Sequence, residues 1–273
     1  MISLDSAATS LLKPRTVHMA VQNAMRTMAS PGRGGHRPAL LAAETAYDCR
    51  ALLAELFSAP GPENVVFTMN ATHALNIAIS SLISSGDRVV VSGWEHNAVT
   101  RPLHLIGADI DVAASPLFNR EATVDAFREK IPGAKAVVCT HVSNVFGFVL
   151  PIYEIAALCR KAGVPLIVDA SQSAGLIEVD MAELGAEFIC MPGHKGLMGP
   201  QGTGGLCVAK GVEIEPHKSG GTGVQTYLRR HRLREPQPDD ARIPARPAGS
   251  GHAQHPRHSR TYGRCGIHPR PRR

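Results

Sequence analysis

Between residues 37 and 210 the chain alternates short, wholly apolar runs with longer segments whose apolar residues recur at helical spacing. This alternation limits the fold more than any other feature. Strands that are apolar on both faces must be covered on both, which calls for a mostly parallel sheet with helices above and below. The runs predict strands at Asn64–Thr68, Arg88–Ser92, Asp109–Ala114, Ala136–His141, Leu166–Asp169, Glu187–Met191 and Gly205–Ala209. Helices are predicted at Ala39–Phe57, Ala71–Ile83, Ala98–Ile106, Val124–Ile131, Ile152–Ala162 and, briefly, Met181–Leu184. In "IYEIAALCRKAG" the residues Ile152, Ile155 and Leu158 fall at helical spacing, and Gly163 supplies a C-terminal stop. The expected fold class is α/β.

In open sheets of this kind ligands sit beyond the carboxyl ends of the strands, so the polar residues after each run are the candidates. Thr72 opens the helix after the first run, where free amides and the helix dipole favour a phosphate; an N-cap is the plainer role. His96 follows the second run and can stack on a flat ring or bond locally. Asn144 comes just past Ala136–His141. Asp169 ends its strand, where a carboxylate is costly without a cation or dense hydrogen bonding, and Gln172 follows it by three. The next run stops at Pro192-Gly193, and His194 and Lys195 follow among glycines. A lone loop lysine is ordinarily solvated, but here it meets a phosphate cradle, a ring-stacker, an amide and an acid at one sheet edge. Pyridoxal 5′-phosphate (PLP) needs this set: an amine for a Schiff base, a carboxylate for the pyridine nitrogen, donors for the phosphate and a flat partner for the ring.

Other chemistries fit less well. The six cysteines contain no C-x-x-C pair, and four of the first five lie in apolar stretches, so core packing is expected and neither a disulfide framework nor a metal site is indicated. The net charge of +6 is confined to the tail. Residues 226–273 hold 12 Arg against three acids (Glu235, Asp239, Asp240), leaving the rest mildly acidic, which argues against a nucleic-acid role. The N-terminus "MISLDSAATS" lacks the features of a signal peptide, and no run is long enough to span a bilayer, so a cytoplasmic protein without membrane contact is expected.

The segments "LDSAATS" (4–10), "PGRGGHR" (31–37), "FTMNATHALN" (67–76), "EHNAVTRPL" (95–103), "HVSNVFG" (141–147), "VDASQSAG" (168–175), "GHKGLMGPQGTGGL" (193–206) and "GGTG" (220–223) together resemble the class V aminotransferase, cysteine desulfurase-like group of fold-type I PLP enzymes. The resemblance covers residues 1 to about 225. It implies a three-layer α/β/α large domain at 31–224, after an N-terminal arm and helix at 1–30. It also implies roles: Lys195 carries PLP as a Schiff base, Asp169 pairs with the pyridine nitrogen, and His96 stacks on the ring and helps move protons. Asn144 and Gln172 would bond the phenolic oxygen side, while Thr72, the Ala71 amide and His194 would bind phosphate. Thr222 of "GGTG" would reach the PLP phosphate of a neighbouring copy, which implies a homodimer. Two positions depart from the pattern: Ser6 replaces a usual Asn, and Pro192 replaces a Ser or Thr, removing a phosphate hydroxyl.

After "GGTG" the composition changes to 12 Arg, 7 Pro and 5 His with no Lys, giving a basic, disordered-looking tail at 225–273. Codons for Arg246–His258 exist that, read two bases earlier, spell Pro-Asp-Arg-Leu-Glu-Ala-Gly-Thr-Leu-Asn-Thr-Pro-Gly, similar to the family segment that follows "GGTG". A frameshift between about Gly223 and Glu235 is therefore expected, with loss of the C-terminal small domain, of the arginine for the substrate carboxylate and of the sulfur-accepting cysteine. Cys265 lies in the shifted region and is not assigned that role. The expected activity is conversion of L-cysteine to L-alanine with sulfur left on the enzyme for an acceptor protein, impaired in this chain. The alternatives are another class V activity, such as selenocysteine lyase or aminotransferase, or a PLP-binding remnant without catalysis.

Overall fold

The structure, a computed structural model, describes residues 5–32 and 34–215. Seven strands form one sheet: β1 (Val65–Thr68), β2 (Arg88–Ser92), β3 (Asp109–Ala113), β4 (Ala136–Thr140), β5 (Leu166–Asp169), β6 (Phe188–Pro192) and β7 (Gly204–Val208), in the order β1-β7-β6-β5-β4-β2-β3. Neighbours from β6 through β3 run parallel, while β7 is antiparallel to both β6 and β1. The helices are α1 (Arg15–Thr27), α2 (Arg37–Leu56), α3 (Ala71–Leu82), α4 (Asn97–Ile106), α5 (Arg120–Lys130), α6 (Ile152–Ala162) and α7 (Met181–Leu184). None is long and apolar enough to cross a membrane.

The central strands divide their side chains between two cores. Val137 and Cys139 of β4, with Val90, Val168 and Ile189, pack against Phe127 of α5 and Ile152, Ile155 and Cys159 of α6. The alternate residues Ala136 and Val138, with Val89, Val91 and Ile167, pack against Leu75 and Ile79 of α3 and Val99 and Leu103 of α4. This is the period-2 consequence of a pleated strand covered on both faces, and it yields the expected three-layer α/β/α arrangement. Four cysteines, Cys139, Cys159, Cys190 and Cys207, are buried with free thiols, consistent with their packing role; Cys49 is exposed.

Most of the predicted elements differ from the observed ones only at their ends, and local chemistry explains the larger shifts. Helix α5 starts at Arg120 rather than Val124, because Asn119 Oδ1 accepts a hydrogen bond from the Ala122 amide and caps it one turn early. Helix α2 starts at Arg37 rather than Ala39, since Pro38 suits the first helical turn. Strand β6 runs through Pro192, which pairs in register with Gly204 instead of ending the strand at Met191.

Strand β2 has β3 on one side and β4 on the other. The chain leaves β2 through α4 to reach β3 and leaves β4 through α6 to reach β5 on the other side, and α4 and α6 lie on opposite faces. Such a reversal opens a crevice at the carboxyl ends of β2 and β4. The sheet's support is testable through Phe127, which is fully buried in the α5–α6 layer. Phe127→Ala should cost about 3–5 kcal/mol in urea unfolding; a cost under about 1 kcal/mol would mean that this layer is not packed as described.

Candidate functional site

The carboxyl ends of β2, β4, β5 and β6 and the start of α3 surround one cleft. Ala71, Thr72, His96, Asn144, Asp169, Gln172, His194 and Lys195 all line it, although they come from five separate stretches of sequence. Thr222 lies outside the described residues.

Each side chain is set by the element that carries it. Asn70 caps α3, its Oδ1 accepting from the His73 amide at 2.8 Å. The capping role therefore belongs to Asn70 and not to Thr72. The amides of Ala71 and Thr72 remain as first-turn donors beside the cleft, with the Thr72 hydroxyl next to them. His96 caps α4, and its Nδ1 accepts from the Ala98 amide at 3.0 Å. That bond places the proton of the neutral ring on Nε2.

Asp169 is 2% exposed. Its Oδ1 accepts from the Ser171 amide at 2.9 Å and from the Ser171 hydroxyl. Burial pushes its carboxyl above the ordinary value, while the Ser171 bonds, Lys195 and His96 pull it back. Burial pushes the half-buried Lys195 amine the other way, below its ordinary value, against the pull of Asp169. The strand end thus holds an acid short of a cation and an amine inclined to lose its proton.

The glycines around Lys195 permit a close backbone crossing. A Cβ on Gly196 would stand 2.4 Å from the Ala174 carbonyl oxygen, and one on Gly175 (φ +79) would stand 2.8 Å from the Gly196 carbonyl carbon. The loop after Asp169 and the loop carrying Lys195 are pressed together, which only glycine allows.

The N-terminal segment straps this loop. Thr9 and Ser10 hydroxyls and the Ser10 amide donate to the His194 carbonyl at 3.0–3.1 Å, and Thr9 Oγ1 also pairs with His194 Nδ1 at 3.0 Å. Burial, Lys195 and Lys13 hold the His194 imidazole below its usual range. Gln172 lines the cleft, but its amide nitrogen donates to the Ala7 carbonyl at 3.0 Å.

Sequence reasoning missed several lining residues: Asn70, Ala98, Thr140, Val142 and Ser171. Asn70 and Ser171 carried usable signals, a cap residue directly before a helix and a hydroxyl two places after a buried acid. Thr140 and Val142 looked like core and carried none. Pro192, noted only as a departure from a motif, also lines the cleft. Chemically, the donor set suits a ligand with a carbonyl for an amine, a basic ring nitrogen for a buried acid, and a phosphate for a helix N-terminus.

Comparison with known proteins agrees with the fold and the motifs. The family model described as aminotransferase class-V matches residues 2–240, running past residue 225, where the motif resemblance stops. A probable cysteine desulfurase of Pyrococcus abyssi is 31% identical over 246 residues, 86% of this chain and 61% of that one. Another, of Methanothermobacter thermautotrophicus, is 34% identical over 232 residues, 82% of this chain and 57% of the relative. Among solved structures, the apo cysteine desulfurase of Thermococcus onnurineus NA1 superposes with a TM-score of 0.74 at 31% identity, covering 80% of this chain and 56% of that one. The chain therefore spans somewhat over half the length of these relatives. On this likeness the chain belongs to the class-V aminotransferase family.

Proposed function

We propose that the cleft binds PLP and that the chain carries the cofactor half of a cysteine desulfurase-like enzyme. Its substrate would be L-cysteine, its product L-alanine, and the sulfur would pass to a protein thiol as a persulfide. The observation that carries this reading is the shared cleft of a buried Asp169 and a half-buried Lys195 with a depressed pKa. An acid that burial holds above its ordinary value gains most from a cationic partner, which a protonated pyridine nitrogen supplies. An amine below its ordinary value is nucleophilic nearer neutral pH, as attachment to an aldehyde requires.

When bound, PLP supplies an electron sink for bonds at the substrate Cα. The chain's own residues would do the rest. Lys195 Nζ would hold the cofactor and would be placed to move the Cα proton. Asp169 would keep the ring nitrogen protonated, and His96 would cover the ring and offer a proton at Nε2. Ala71, Thr72 and His194 would hold the phosphate. Asn144 and Gln172 would serve the phenolic oxygen, Gln172 exchanging or sharing its bond to Ala7. Thr222 would reach the cleft of a second copy.

A second reading, PLP binding without sulfur transfer, is favoured by the thiols. No cysteine among the described residues lines the cleft. Burial pushes Cys159 and Cys207 up to about 12 and raises Cys139 and Cys190 well above the ordinary thiol value. Such thiols stay protonated and enclosed, so they are poor sulfur acceptors.

The homodimer is supported by unpartnered apolar surface. Helix α1 buries no residue, and Met25 (75% exposed) and Met19 lie on it; α2 exposes Leu40, Tyr47 and Leu52. Surface of this kind marks an interface.

Three outcomes are expected. Incubation with L-cysteine and PLP should give alanine, with sulfide once a reducing thiol is added, and Lys195→Ala should reduce both by at least about 100-fold; cofactor binding without alanine would select the second reading. PLP uptake should accelerate with pH and level off with a midpoint below 10.5, the ordinary lysine value, and Asp169→Asn should move that midpoint lower still; a midpoint at or above 10.5 contradicts the role given to Lys195. Light scattering should give a dimer that Met25→Glu with Leu52→Glu converts to monomer, whereas a monomeric parent chain would remove this part of the proposal.

A further inference from the structure

Glu95 is the most unusual carboxyl among the described residues, and the roles above do not use it. It sits in the turn between β2 and α4, one place before His96. Its Oε1 accepts from the Ser92 hydroxyl and, at 2.9 Å, from the Thr140 amide. Ser92 ends β2 and Thr140 ends β4, so one oxygen bridges the crevice where the sheet order reverses. Thr140 is in turn the register partner of Asp169 on β5. The other oxygen, Oε2, is buried and has no hydrogen-bond partner.

Glu95 belongs to none of the ion pairs among the described residues. The titratable groups that act on it are acidic: Asp169 on β5, with the Cys139 thiol of β4 also near. Lys195 and His96 of the cleft act on Asp169 instead. Two carboxylates that act on each other in a poorly hydrated place do not both ionise easily, and one retains a proton. The donors decide which. Asp169 has the Ser171 amide and hydroxyl, with Lys195 and His96 also lowering its pKa, whereas Glu95 has donors to one oxygen and an orphan at the other. An unpaired neutral oxygen costs far less than an unpaired charged one.

We propose that Glu95 is a positioning residue that works as a neutral acid: Oε1 ties the ends of β2 and β4 together, Oε2 retains the proton, and Asp169 is left as the sole negative charge of the cleft. Burial agrees, pushing the Glu95 carboxyl up to about 8 from 4.5. For the cofactor, whose binding rests on the function proposed above, a ring cation would meet one well-placed carboxylate. Ionising Glu95 would add a second negative charge behind it.

The test uses the protein without cofactor, so it stands or falls separately from PLP binding. A folded-state proton that the unfolded chain releases above pH 4.5 makes the native state lose stability as pH rises from 4.5 to about 8, and the loss stops above that. Glu95→Gln keeps the Oε1 acceptor and cannot ionise. The ratio of wild-type to Glu95→Gln unfolding constants should therefore climb about tenfold per pH unit across this window and flatten above it. A ratio independent of pH between 4.5 and 8 overturns the proposal. Ser92→Ala keeps the acid and removes a donor to it, so the sloping window should extend above pH 8; a window that ends lower contradicts the proposal even where Glu95→Gln does not fold. A merely structural bridge would change stability in these variants without shifting any pH window.

Discussion

The cost of placing a carboxylate at the end of a buried parallel strand organises this molecule. Asp169 sits at the end of β5 with almost no exposure, and its β4 and β6 neighbours, Thr140 and Cys190, carry no charge. A bare carboxylate there would be unfavourable by several kcal/mol, so nearby residues reduce the cost. Ser171 bonds Oδ1 twice, Lys195 and His96 lie within electrostatic reach, and the second acid of the neighbourhood, Glu95, is tied to Ser92 and Thr140. The residual deficit is what a cationic ligand would satisfy.

Placing Lys195 near that acid requires a chain path that bulkier residues would block. Strand β6 leaves the sheet at Pro192, and Gly193, Gly196 and Gly199 let the following loop fold onto Ala174, Thr203 and itself. The strap from Thr9 to Lys13 then clamps the His194 carbonyl from outside. The amine becomes half-buried and shifts toward its neutral form. Fold and chemistry are linked here through one geometric fact, that two loops after adjacent parallel strands pass within backbone contact.

Much of the fold was legible because apolar continuity and helical spacing are local. Arg88–Ser92, Leu166–Asp169 and Ile152–Ala162 read directly from the residues and match the observed elements. The ends of α5 and β6 were not legible, because a single cap residue and a proline that pairs across to Gly204 outweigh average pattern. The candidate positions around the cleft were readable for one reason, that ligands in such sheets lie past the strand ends. Glu95 was not, since it looks like any charged turn residue beside a histidine. Its burial arises only when β4, distant in sequence, settles against β2. The docking of Ala7 on Gln172 and of Thr9 on His194 is similarly long-range and leaves no periodic trace.

The central claim is that Lys195, and no other lysine, meets a cofactor held by Asp169 and the α3 N-terminus. Mixing the protein with PLP, reducing with borohydride and mapping the peptides by mass spectrometry tests it directly. The account predicts one phosphopyridoxyl group per chain, on Lys195, with Asp169→Ala sharply reducing the yield. Label confined to Lys13, Lys210 or other lysines, or spread evenly among them, would contradict it.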